Sequence, residues 1–180
     1  MINFKKRLLF NVYYFVSWIV YFVFLRLFFL LYHIDKTKEL GLFTVIKTFL
    51  YGLQLDIAFT AYLSIIPFLL MILSVYINSK KIGTIIKWYS SILLVFINLL
   101  LLIDAGLYQS WGVRLDTSIL PYLNTPELMV ASVSSFQLIF GILFWVLLSV
   151  ICIKIFKTII NKKIKKVRVS HWIQIPAFLL

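Results

Sequence analysis

The sequence predicts an all-α, polytopic membrane protein with four complete transmembrane helices, the start of a fifth, and interfacial helices on the outer side. Three observations carry that reading. Of 180 residues, 63% are hydrophobic and only 13% charged, with a mean hydropathy of +1.03; a soluble domain is about half apolar and about a quarter charged. The apolar residues gather into runs of about 20, the length a helix needs to cross the ~30 Å hydrocarbon core. Lys and Arg collect at the ends of these runs rather than along polar faces.

The first span covers about 8–31 and follows Lys5, Lys6 and Arg7; only Asn11, Ser17 and Arg26 interrupt it. A cleaved signal peptide has a shorter apolar core and a small-residue cleavage site, so this span is read as uncleaved. Residues 33–38 are polar. Residues 40–50 mix Leu42, Phe43, Ile46, Phe49 and Leu50 with Lys47, the pattern of a helix lying in the outer interface. Tyr51 and Gly52 lead into a second span at about 53–77, a basic turn at 78–81 reverses the chain, and a third span runs over about 82–107. An outer loop, 108–132, follows. Within it Thr125 suits a helix cap, Pro126 the first turn and Glu127 the positive end of the dipole, and that helix is expected to lead into a fourth span at about 136–156. A basic segment occupies 157–168. The apolar stretch 172–180 is too short to span and reads as the first half of a fifth helix in a longer chain. No internal repeat is evident, nor the paired broken spans of many transporters.

Charge orients the chain. The net charge is +12. With the N-terminus in the cytoplasm, thirteen Lys and Arg fall on the inner side (Lys5, Lys6, Arg7, Lys80, Lys81, Lys87, Lys154, Lys157, Lys162, Lys163, Lys165, Lys166 and Arg168) against Lys36, Lys38, Lys47 and Arg114 outside. The positive-inside rule selects that orientation. Because the basic residues flank spans and form no polar groove, nucleic acid is excluded as a partner; the bilayer itself and anionic phospholipid headgroups are the expected contacts. Cys152 is the single cysteine, so no intramolecular disulfide or Cys-based metal site can form.

Specificity is expected in 104–132, which concentrates Asp104, Arg114, Asp116, Glu127, Tyr108, Trp111, Tyr122 and two prolines between nearly pure apolar runs. Arg26 lies roughly 27 Å along a helix from Leu8, near the outer surface. Asp56 stands in the first turn of a descending span and Asp104 in the last turn of an ascending one. A lone charge at that depth costs a few kcal/mol, so Arg26 or Arg114 is expected to pair with Asp56 or Asp104. Two roles fit Arg26, Asp56, Asp104, Arg114 and Asp116: a polar site for a lipid headgroup, or an ion-pair clasp between helices with Arg26 snorkelling to the surface. Asp104 and Tyr108, four apart, share a helix face; Tyr108, Trp111 and Tyr122 read as interfacial aromatics. His33 and His171 read as interfacial surface residues. No metal-ligand cluster, nucleophile–base spacing or Gly-rich phosphate loop is present in the sequence.

Gly52, Asp56, Tyr62, Pro67, Asp104, Tyr108, Trp111, Gly112, Arg114, Asp116, Tyr122, Leu123, Pro126 and Glu127 together resemble the N-terminal region of the lipoteichoic acid synthase family. These are membrane phosphoglycerol transferases of the alkaline phosphatase and sulfatase superfamily. The resemblance spans most of 40–135. It implies five N-terminal spans and a large extracellular catalytic domain with a Thr nucleophile and a divalent metal, manganese or magnesium. That domain would transfer or hydrolyse phosphoglycerol or a related phosphate or sulfate ester at the outer face. The 180 residues hold none of its catalytic or metal-binding residues, so no cofactor is expected in them, and the chain's own partner would be that catalytic domain. Two other classes are a stand-alone scaffold or regulator of an envelope complex, expected to accumulate at this length, and a transporter subunit, expected to carry charges near the midplane.

Overall fold

The computed structural model describes residues 2–74, 79–115 and 134–167. They form α1 (Ile2–Tyr32), α2 (Ile34–Glu39), α3 (Gly41–Leu73), α4 (Ser79–Trp111) and α5 (Ser135–Val167), with no strand among them. Four of these helices, all but α2, are long and apolar enough to cross a membrane. Helix is the natural solution, because a backbone in hydrocarbon has no water to bond and must satisfy its own N–H and C=O groups.

The helices outrun the expected spans. Residues 40–50 do not form a separate element: from Gly41 on they are the first turns of α3, 33 residues and about 50 Å long. No proline breaks that helix before Pro67, and Gly52, a weak helix former, is packed beneath Arg26 of α1. The basic segment likewise continues α5 to Val167, since neither Gly nor Pro occurs between Gly141 and Val167 and Lys is a good helix former. The helix start expected at 124–127, Asp116 and Tyr122 of the outer loop, and the fifth-span start at 172–180 lie outside the described residues.

Local chemistry sets the ends. The start of α5 is a capping box: Gln137 N–H donates to Ser134 Oγ at 3.3 Å, and Ser134 N–H donates to Gln137 Oε1 at 3.1 Å. Helix α4 stops at Gly112, whose φ of +70° only glycine adopts without strain, and whose N–H bonds the Tyr108 carbonyl at 3.2 Å.

Side-chain registers give the topology. Tyr14, Tyr21 and Tyr32 of α1 bond Ser90, Asn98 and Gln109 of α4. The nearly constant offset means that these two helices run parallel. By contrast Arg7 reaches Ser74 while Arg26 reaches Asp56, so α3 is antiparallel to α1. Lys87 meets Asn161 while Asn98 meets Ser149, so α5 is antiparallel to α4. The bundle therefore runs up, down, up, down, with α1 packed against both α3 and α5.

The core is a stripe on α1, Phe10, Tyr14, Trp18, Tyr21 and Leu25, set against Ile82, Ile86 and Leu94 of α4 and Cys152, Phe156, Ile160 and Ile164 of α5. Spacings of three and four put each set on one helix face. Trp18 is fully buried, with its ring 4.9 Å from Phe156 and 5.5 Å from Tyr21. Gly83 lets α4 approach α5: a Cβ there would stand 2.7 Å from Ile164 Cδ1. Small residues at such crossings are how helices in lipid pack closely.

Hydrogen bonds complete the packing. Tyr21 donates to Asn98 Oδ1 at 2.8 Å, and Asn98 Nδ2 donates to Ser149 Oγ at 3.3 Å, joining α1, α4 and α5 through fully buried Asn98. Pro67 inside α3 has no N–H to give Leu63; the freed Leu63 carbonyl instead accepts from Tyr89 of α4 at 3.1 Å. Asn98→Leu should destabilise the bundle by about 1–2 kcal/mol, read as a lower unfolding midpoint in detergent titrated with SDS. A midpoint equal to the parent's would mean that this three-helix junction carries no net stability.

Candidate functional site

The described carboxylates, Asp35, Glu39, Asp56 and Asp104, all lie at one end of the bundle, where α1 and α4 finish and α3 begins. Two Arg–carboxylate pairs are built there.

The first joins α1 to α3. Arg26 Nη2 donates to Asp56 Oδ1 at 2.9 Å, with the two side chains only 18% and 9% exposed. Gly52, one turn before Asp56, makes this possible. A Cβ at Gly52 would overlap the Arg26 guanidinium carbon and both terminal nitrogens, so the guanidinium lies flat against the α3 backbone. Each partner keeps one buried polar atom outside the bond, Arg26 Nη1 and Asp56 Oδ2, and fully buried Thr60 carries a third one turn deeper.

The second pair folds the chain back after α4. Beyond Gly112, Arg114 returns over the helix end. Its Nε donates to Asp104 Oδ2 at 3.1 Å and to Oδ1 at 3.3 Å, while Nη2 also donates to Oδ2. Leu115 N–H adds a bond to Asp104 Oδ1 at 2.8 Å. The planar fork of Arg matches a carboxylate in two parallel bonds. Asp104 is nearly enclosed at 11%, whereas the Arg114 side chain is 63% exposed, so the remaining edge of the guanidinium is reachable from outside.

Aromatic rings support this clasp. Arg114 lies over the Phe29 ring at 4.2 Å, and Lys36 lies over the Tyr108 ring at 4.3 Å. Phe29 and Tyr108 are themselves 5.4 Å apart, and His33 sits 4.7 and 4.8 Å from them. Burial lowers the His33 pKa, and the positive charges of Lys36 and Arg114 lower it further, against the Ala105 carbonyl and Asp104, which raise it. Tyr32 donates to Gln109 Oε1 at 2.6 Å beside them.

The geometry brings together Arg26 with Asp56 and Arg114 with Asp104, and puts Tyr108 in the ring cluster under Lys36. It does not bring Arg26 to Asp104. Trp111 closes α4 at this end and is 38% exposed. Asp116 and Tyr122 are outside the described residues. Sequence reasoning missed Gly52 as the seat of Arg26; His33, read as an interfacial surface residue, is partly exposed, with its Nε2 enclosed beside the Phe29 and Tyr108 rings. The spacing of Gly52 and Asp56, four apart and so on one helix face, was the available signal for the first. Among the described residues, no group of three His, Cys, Asp or Glu could hold a metal ion.

Two outcomes test this site. In a bare helix Gly→Ala gains up to about 1 kcal/mol; here Gly52→Ala should instead destabilise the protein by roughly 2–4 kcal/mol through displacement of Arg26 from Asp56, read by unfolding in detergent. For His33 the unfolded pKa of about 6.5 exceeds the folded one, so the unfolded chain binds the proton first and stability falls as pH drops from 7 through the unfolded value toward the folded one. His33→Gln should flatten that part of the melting-temperature profile. Compared with known proteins, the chain matches no family model, no curated protein and no solved structure.

Proposed function

We propose that this chain is the membrane-anchoring region of a lipoteichoic acid synthase-like phosphoglycerol transferase, working at the outer face of a bacterial cytoplasmic membrane with its N-terminus in the cytoplasm. One observation carries the reading: the scattered residues behind the resemblance converge into definite tasks. Gly52 and Asp56 hold Arg26, Pro67 frees the carbonyl that Tyr89 takes, and Asp104, Gly112 and Arg114 turn the chain back onto the bundle. On this reading the Thr nucleophile and its divalent metal belong to a catalytic domain following the fifth span. The two clasps keep the outer end rigid, and Arg114 offers its exposed edge to a lipid phosphate, which an Arg can bind in two parallel bonds.

The orientation rests on charge. Most Lys and Arg of the described residues lie toward the end opposite the clasps, among them Lys5, Arg7, Lys81 and Lys163, and the positive-inside rule assigns that end to the cytoplasm. A membrane-impermeant thiol reagent should label Gln109→Cys but not Lys81→Cys in intact cells, with Cys152 replaced by Ser. The size of the native product, probed with an antibody to the Met1 end, decides the larger claim. A band about three times the 21.2 kDa of this chain is expected, and in that full-length enzyme Arg114→Lys should lower phosphoglycerol transfer roughly tenfold. A band at the mass of this chain would overturn the anchoring role and favour a stand-alone scaffold.

A further inference from the structure

We propose that the basic end of the bundle holds an anionic glycerophospholipid from the adjacent leaflet, its phosphate against Arg7 and one acyl chain in the groove between α1 and α3. The groove has a volume of about 420 Å³ and is walled by Val12 and Phe15 of α1 and Ala61, Ile65 and Phe68 of α3. It follows α3 from Ala61 to Leu69, a rise of about 12 Å. Two of its residues, Asn11 and Ser64, carry oxygens that are buried and have no hydrogen-bond partner. An apolar trough with a few polar atoms is what an acyl chain and its ester end require.

Arg7 lies one helical turn beyond the lining of the groove. It precedes Asn11 by four residues, so the two share the α1 face toward α3, about 6 Å apart along the axis. Its Nη2 donates to the Ser74 carbonyl at 3.4 Å, which holds the guanidinium where α1 meets the end of α3. Lys5, Lys6, Lys80 and Lys81 gather at the same end, with Lys163 over the Tyr13 ring and Lys87 bonded to Asn161. No described carboxylate lies at this end. Like charges gathered this way repel, and anionic headgroups relieve that at about 1 kcal/mol per basic residue. Charge complementarity therefore selects a lipid with a net negative headgroup rather than a zwitterionic one or the apolar helix of a second copy. This site is at the opposite end from the clasps and stands whether or not the anchoring role does.

Native mass spectrometry of the full chain, released from nanodiscs of equal phosphatidylserine and phosphatidylcholine, tests it. The parent protein should retain phosphatidylserine preferentially. Arg7→Gln should lower that preference about five-fold, Arg7→Lys should keep it, and Ala61→Phe should expel lipid of both kinds with the melting temperature unchanged. Should Ala61→Phe fail to fold, Ile65→Trp fills the same groove from an exposed position. Equal retention of the two lipids by the parent overturns the proposal, as does a preference untouched by Arg7→Gln. Lipid retained by a folded groove-filled variant, or a dimer that this variant dissociates, also overturns it.

Discussion

Hydrocarbon offers no water to a polar group, and every feature of this bundle answers to that constraint. Lipid tails are as apolar as Leu, so helices gain little by hiding Leu from them. What distinguishes one face from another is where polar atoms find partners and where small residues let backbones meet. The single polar side chains scattered through otherwise apolar runs, Ser90, Asn98 and Ser149 among them, thus do more to place α1, α4 and α5 than their number suggests. Pro67 shows the same logic for the backbone: the carbonyl it strands inside α3 becomes the acceptor that ties α3 to Tyr89 of α4.

Ionised groups face the constraint in its severest form, and the two ends of the bundle meet it differently. At the clasp end Arg26 and Arg114 are matched with carboxylates supplied by the chain. The pairs also differ from each other. Arg26–Asp56 is enclosed, rests on a glycine and joins two helices, which suits a structural tie. Asp104–Arg114 is enclosed only on the acid side and leaves an exposed guanidinium braced on Phe29, which suits contact with something outside. At the opposite end Lys and Arg gather with no carboxylate among the described residues, the charge pattern on which the proposed headgroup contact rests.

Aromatic residues link these charges to the packing. Phe29 is at once buried on α1 one turn beyond the core stripe, a neighbour of His33 and Tyr108, and the platform for Arg114. A shift of α1 relative to α4 would therefore be felt at the clasp, and protonation of His33 within the ring cluster would place a charge beside Arg114 and Lys36. The clasp is thus coupled to the helix that every other crossing helix touches.

Hydropathy and charge by themselves determined the class and the presence of four helices long and apolar enough to cross a membrane, because these depend on composition along short windows and on helix rise alone. That Arg26, Asp56 and Asp104 lie toward one end of the bundle was legible for the same reason, since position along a helix is arithmetic. Only the tertiary structure decided which Arg took which carboxylate, because depth leaves rotation about the helix axis open and neighbours are set by packing. It also revealed that Gly52 is a seat for Arg26 and that Asn98 joins three helices, since both follow from contacts between segments more than twenty residues apart. The merging of residues 40–50 into α3 had a similar origin: the apolar and basic pattern suits an interfacial helix, but an unbroken backbone carried one helix straight through it.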